Sequence, residues 1–253
     1  MIELDHVSHV VGGRRIVDGV TLTVADGEFV ALVGSSGSGK STTLKMINRL
    51  LPVSDGTIRV DGRDVAQANP EELRRSIGYV IQSIGLFPHW NVADNITTVP
   101  RLLGWPAAKI ASRVDELLDL LRLDPGEGAK FPHQLSGGQQ QRVGVARALA
   151  ADPAILLMDE PFGALDPITR AALQGELAAI HKGLGKTVLF VTHDIDEAMR
   201  LADRVAIIDG GTLIQVGTPE EIIANPASDF VREFIGDAEL RRLALKIARR
   251  DTK

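Results

Sequence analysis

Short, wholly apolar runs alternate along the chain with longer stretches of helical period. Phe29–Val33 (FVALV) has no polar position and ends at Gly34, and Ala154–Met158 (AILLM) and Val188–Thr192 (VLFVT) read alike. Such runs fit strands buried on both faces of a mostly parallel sheet. Between them, Ala111–Leu123, Gln139–Ala150 and Ile168–Leu184 carry helical spacing. The alternation predicts an α/β fold in which helices cover a sheet. The first 30 residues differ, because EFV and TLTV alternate like antiparallel strands. Gly56–Val60 (GTIRV) does the same before Asp61-Gly62, a hairpin-turn dipeptide. An antiparallel β edge piece is therefore expected beside a mixed, mainly parallel core. From Ile84 to Ala150 strand signals nearly vanish, which predicts an inserted helical subdomain over about 84–150.

Composition narrows the choice of chemistry. A length of 253 residues suits one large or two small domains. The absence of cysteine excludes a disulfide scaffold, a thiolate metal site and a thiol nucleophile. A net charge of −5 argues against a chain that coats nucleic acid, so no nucleic-acid partner is expected. No apolar run approaches the ~18 residues of a membrane span, and the acidic start MIELDHV does not resemble a signal peptide. The expectation is a soluble, intracellular chain.

The chemistry begins at Gly34-Ser35-Ser36-Gly37-Ser38-Gly39-Lys40-Ser41, which matches G-x-x-x-x-G-K-[ST]. It follows the FVALV strand and precedes a helical pattern beginning at Thr42, the context that the motif needs. Glycines let successive backbone N–H groups turn toward phosphate oxygens, and the helix N-terminus adds its positive end. Lys40 is placed to reach β- and γ-phosphates and the Ser41 hydroxyl to ligate Mg²⁺, which makes ATP and Mg²⁺ the expected cofactors. A second element is the buried run Ile155–Met158 followed by Asp159 and Glu160. Asp159 suits the Mg²⁺ shell, and Glu160 could polarise a water for in-line attack on a γ-phosphate.

With Leu135-Ser136-Gly137-Gly138-Gln139 and the following Gln140-Gln141-Arg142, the chain resembles the ATPase subunit of an ATP-binding cassette (ABC) transporter over nearly its whole length. Ser136, Gly137, Gly138 and Gln139 look like the family's signature sequence, a hydroxyl and N–H groups at a helix start. In the family that segment completes the phosphate site of the opposite subunit. The resemblance thus implies two copies of the chain with two ATP molecules sandwiched between them. It also assigns three lone residues. Gln82 resembles the glutamine that senses Mg²⁺ and the attacking water, and His193 the switch histidine that contacts the γ-phosphate and holds the catalytic glutamate. Asp166 resembles the aspartate of a loop (the D-loop) that touches the partner subunit. One position departs: where the family usually carries an adenine-stacking aromatic residue, this chain has Val11. Weaker or less adenine-selective nucleotide binding is the expectation.

Within the family, Ile77–His89, Val99–Trp105 and Met46–Leu50 are similar to bacterial importers of osmoprotectants such as glycine betaine, choline or carnitine. That likeness implies permease subunits in the membrane, and indirectly an extracytoplasmic substrate-binding protein. It implies a peripheral position on the cytoplasmic face of the inner membrane. Leu86, Phe87, Pro88 and Trp90 are the candidate contacts with the permease. An importer of another solute, or a lipid or efflux system, is the alternative reading. The cassette is assigned to residues 1–236 and a short basic amphipathic tail to 237–253. Regulatory domains that often follow in such importers are not expected in this chain.

Overall fold

An apolar strand five residues long needs a covering layer on each face, and Phe29–Val33 has both. The computed structural model describes residues 1–163 and 165–236. The basic tail therefore lies outside the described residues. In chain order the elements begin β1 (Ile2–Val11), β2 (Arg14–Val24), β3 (Phe29–Val33), α1 (Lys40–Ile47), β4 (Asp55–Val60), β5 (Arg63–Asp64), α2 (Pro70–Ser76) and β6 (Ile77–Val80). A helical stretch follows, with α3 (Val92–Ile96), α4 (Thr98–Leu102), α5 (Ala107–Leu120) and α6 (Gly137–Leu149). Then come β7 (Ile155–Asp159), α7 (Pro167–Leu184), β8 (Thr187–Thr192), α8 (Ile195–Leu201), β9 (Arg204–Asp209), β10 (Thr212–Gly217), α9 (Pro219–Ala224) and α10 (Asp229–Ile235). No strand lies between Val80 and Ile155. No described helix is long and apolar enough to cross a membrane.

The core sheet has the order β10-β9-β3-β8-β7-β6, parallel except for β10. Phe29, Ala31 and Val33 of β3 pack with α6, α7 and the other helices on one face. Val30 and Leu32 pack on the other face, with α1 and the antiparallel strands. The period-2 alternation of side chains thus divides one apolar run between two cores. The antiparallel piece is a sheet of its own, β2-β1-β4-β5, and not an extension of the core sheet. The antiparallel edge of the core sheet is β10.

Helix boundaries follow local chemistry. α6 starts two residues earlier than its period suggests, because Ser136 caps it, with Oγ accepting from Gln139 N–H at 3.2 Å while Gln139 Oε1 accepts from Ser136 N–H at 2.8 Å. α5 starts four residues early, directly after Pro106, and stops at Leu120, before Arg122 with φ of 52°. Because β3, β6, β7 and β8 run parallel, the residues that follow them emerge at one edge of the sheet. That is where open α/β sheets form their sites.

Candidate active site

The loop from Gly34 to Gly39 fits an anion between strand and helix only if its glycines stay glycine. A Cβ on Gly34 would sit 2.0 Å from the Ile208 carbonyl oxygen. Gly39 has φ of 99°, and a Cβ there would sit 2.7 Å from the Ile16 carbonyl oxygen. α1 begins at Lys40 without a side-chain cap, which leaves its first N–H groups to be met by something else. The buried Lys40 ammonium donates to the Gly34 and Ser35 carbonyls at 2.9 and 2.7 Å. Burial pushes its pKa down, against the opposing pull of Glu160 and Asp159. A cation folded onto its own loop carbonyls is one whose charge a phosphate would meet better. Ser35, Ser36 and Gly37 form the exposed rim, and Ser38 is buried below them.

Asp159 ends β7 almost fully buried, and its Oδ1 accepts from the Ser41 hydroxyl at 2.7 Å. Burial raises its pKa, while the Ser41 hydrogen bond and Lys45 pull the other way. One hydroxyl and one carboxylate in contact form the hard oxygen donor set that suits Mg²⁺. Thr42, next along α1, is half-buried.

Glu160 lies one residue further, with φ of 47° and its N–H bonded to the Val191 carbonyl at 2.9 Å. That left-handed turn takes its side chain off the strand and between two partners. Gln82 Nε2 donates to Glu160 Oε2 at 3.1 Å, across 78 residues of sequence. His193 Nδ1 lies 3.3 Å from Glu160 Oε1. The structure therefore brings together Gln82, Glu160 and His193, next to the Ser41–Asp159 pair.

Other predicted residues stand apart from this cluster. Ser136 and Gly137 are exposed, and no hydrogen bond joins them to loop 34–41 of the same chain. Asp166 caps α7, accepting from the Ile168 and Thr169 N–H groups at 3.1 Å each. The Thr169 side chain first, and then these backbone bonds, hold its carboxyl below the usual carboxylate range. Val11 is 56% exposed beside the Gly12-Gly13 turn. The sequence did not point to Arg147, which reaches from α6 to the loop after Gln82. Its Nη1 and Nη2 donate to the Gly85 and Ile84 carbonyls at 2.6 and 2.8 Å. Nor did it point to Asp209, which accepts from Ser35 Oγ at 3.0 Å. A charge within the apolar run Val143–Leu149 was the available signal for Arg147.

The family profile described as ABC transporter matches residues 17–163, more than half of the chain. The chain belongs to this family. Among ABC relatives, the glycine betaine uptake system ATP-binding protein YehX of Escherichia coli (strain K12) is 56% identical over 97% of this chain and 80% of its own length. The glycine betaine/carnitine/choline transport ATP-binding protein OpuCA of Bacillus subtilis (strain 168) is 55% identical over 95% of this chain. This chain spans 63% of that relative's length. Among solved structures, the dimeric post-hydrolysis state of the ATP-binding cassette MJ0796 bound to ADP and Pi matches with a TM-score of 0.78. That match has 33% identity over 87% of this chain and 99% of the other. The ABC cassette is thus shared in fold as well as in sequence.

Proposed function

We propose that this chain is the ATP-hydrolysing subunit of a membrane ABC importer for glycine betaine or another quaternary amine. It works on the cytoplasmic face of the membrane as an ATP-sandwich dimer bound to permease subunits, with an extracytoplasmic binding protein delivering the solute. One observation carries the enzymatic part: Glu160 is held by Gln82 and His193 one residue beyond the Ser41–Asp159 pair. Lys40 exchanges its loop carbonyls for phosphate oxygens. Ser41 and Asp159, with Gln82, would hold Mg²⁺, which when bound neutralises charge on the phosphate oxygens. Glu160 takes a proton from a water as its oxygen bonds to the γ-phosphorus, and ADP leaves. His193 keeps the carboxylate aimed. Ser136, Gly137, Gly138 and Gln139 of a second copy close the site, since in the single chain they meet no nucleotide loop.

The transport functions of the relatives support the solute. An exposed aromatic pair supports the permease contact: Phe87 and Trp90 are 45% and 40% exposed, with ring centroids 4.5 Å apart. Phe87 also lines a groove of about 240 Å³ with Tyr79, Val99 and Arg147. The test is Glu160→Gln. The variant should bind ATP, lose turnover and accumulate as a dimer on a sizing column. Full hydrolysis by the variant would remove Glu160 from its role.

A further inference from the structure

Arg170, in the second turn of α7, touches none of the groups placed at the nucleotide, yet its guanidinium joins the turn before α7 to the start of α8. Nη2 donates to the Leu165 carbonyl at 3.2 Å, immediately before Asp166. Nη1 lies 3.6 Å from Oδ2 of Asp194, the residue after His193 and the cap of α8. Nε is buried without a hydrogen-bond partner, 3.8 Å from Glu197 Oε1. Glu197 is itself buried, at 6% exposure. It accepts from the Thr192 hydroxyl at 2.7 Å and from Gln174 Nε2 at 3.2 Å. The Thr192 hydroxyl oxygen in turn accepts from Asp194 N–H at 3.0 Å. His193 is therefore bracketed by two residues tied to this network. The first turn of α7 also meets the signature helix, where a Cβ on Gly138 would fall 2.4 Å from Thr169 Cγ2. Ile168, beside them, is 83% exposed.

A buried carboxylate on a covering helix is costly, and apolar packing would serve stability as well. We propose that Arg170 and Glu197 are positioning residues that lock the turn carrying His193 to the Leu165–Asp166 turn, so that a second copy pressing on the exposed residues Asp166 to Ile168 adjusts His193 against Glu160. This rests on the proposed function, because it acts through His193 in ATP hydrolysis.

The test is Mg²⁺-dependent ATP hydrolysis by the full chain, under steady-state and single-turnover conditions. Arg170→Gln should lower kcat by about tenfold or more, with KM for ATP changed by less than about threefold. Arg170→Lys, which keeps the charge, should recover part of the loss. The isosteric Glu197→Gln should lower kcat in the same sense. In a His193→Ala background Arg170→Gln should cost nothing further, because both act on one step. An unchanged kcat, a loss that lies in KM, or equal losses with and without His193 would overturn the inference while leaving the proposed function standing. A wild-type chain that does not hydrolyse ATP would overturn both.

Discussion

Removing the Arg147 guanidinium should loosen the Gln82 loop, and the size of the effect follows from two hydrogen bonds. Ile84 sits in the left-handed region with φ of 58°, a conformation that costs a β-branched residue ~1–3 kcal/mol and persists only when held. Arg147 holds it by donating to the Ile84 and Gly85 carbonyls. Hydrogen bonds to a charged group contribute ~1.5–3 kcal/mol each. The Gly85 carbonyl is on an exposed residue and rehydrates when the arginine is removed, so its loss counts for little. The half-buried Ile84 carbonyl does not recover fully, leaving about 2 kcal/mol less to hold the loop closed. That is roughly a 30-fold larger open population. In Arg147→Ala, hydrogen exchange of the Ile84 and Gly85 amides, which close turns onto Ile81 and Ser83, should therefore accelerate about 30-fold. ATP turnover should fall with it, because Gln82 then spends less time on Glu160. Arg147→Lys should lie between, since an ammonium lacks the fork that spans two carbonyls. Exchange within about threefold of wild type would refute the account.

Two further perturbations concern Val11 and Glu197. Val11→Tyr adds a stacking surface beside the Gly12-Gly13 turn and should tighten ATP binding by ~1–3 kcal/mol, with a gain of ATP over GTP, measured by nucleotide titration. Unchanged affinities would sink that reading of Val11. Burial raises the Glu197 carboxyl pKa, opposed by Thr192 and Arg170 and assisted by Asp194. The folded chain thus keeps this proton to higher pH than the unfolded chain, so the group's contribution to stability is full below the ordinary carboxylate range and is lost as pH rises through the folded pKa. The Tm of wild type minus that of Glu197→Gln should accordingly fall as pH is raised from about 4 to 7; a difference that is flat or rises contradicts the sign.

The parts of the fold that could be read from sequence were those whose signal is local. β3 and the apolar runs within β7 and β8 are buried at every position because both faces of the sheet are covered, and their shortness and turn-bounded ends mark them as strands. The phosphate loop was equally legible, since its glycines answer to backbone positions that a Cβ would block. That the antiparallel strands form a separate sheet was not legible. Strand pairing depends on β1 meeting β2 and β4 across the chain, and a period of two is the same whichever sheet the strand joins. The contacts of the site were less legible still. Parallel strands deliver Gln82, Glu160 and His193 to one edge, so their neighbourhood could be inferred, but the hydrogen bonds among them have no sequence signature. Their supports did leave one. Glu176 falls on the same face of α7 as the buried Leu173 and Ile180, and it is met by Arg142 of the signature helix at 3.0 Å. An ionisable residue at a core-facing step of a helical period requires a partner of opposite charge or a hydrogen-bonding group of the complementary kind. Arg142, Arg147 and Glu176 all break their apolar stripes in this way. Arg142 and Glu176 tie α6 to α7, and Arg147 ties α6 to the loop after Gln82, beside the apolar packing of the same helices. Such ties tolerate little change in geometry. Through Arg147, a shift of α6 would bear on the loop that follows Gln82, the residue that donates to Glu160.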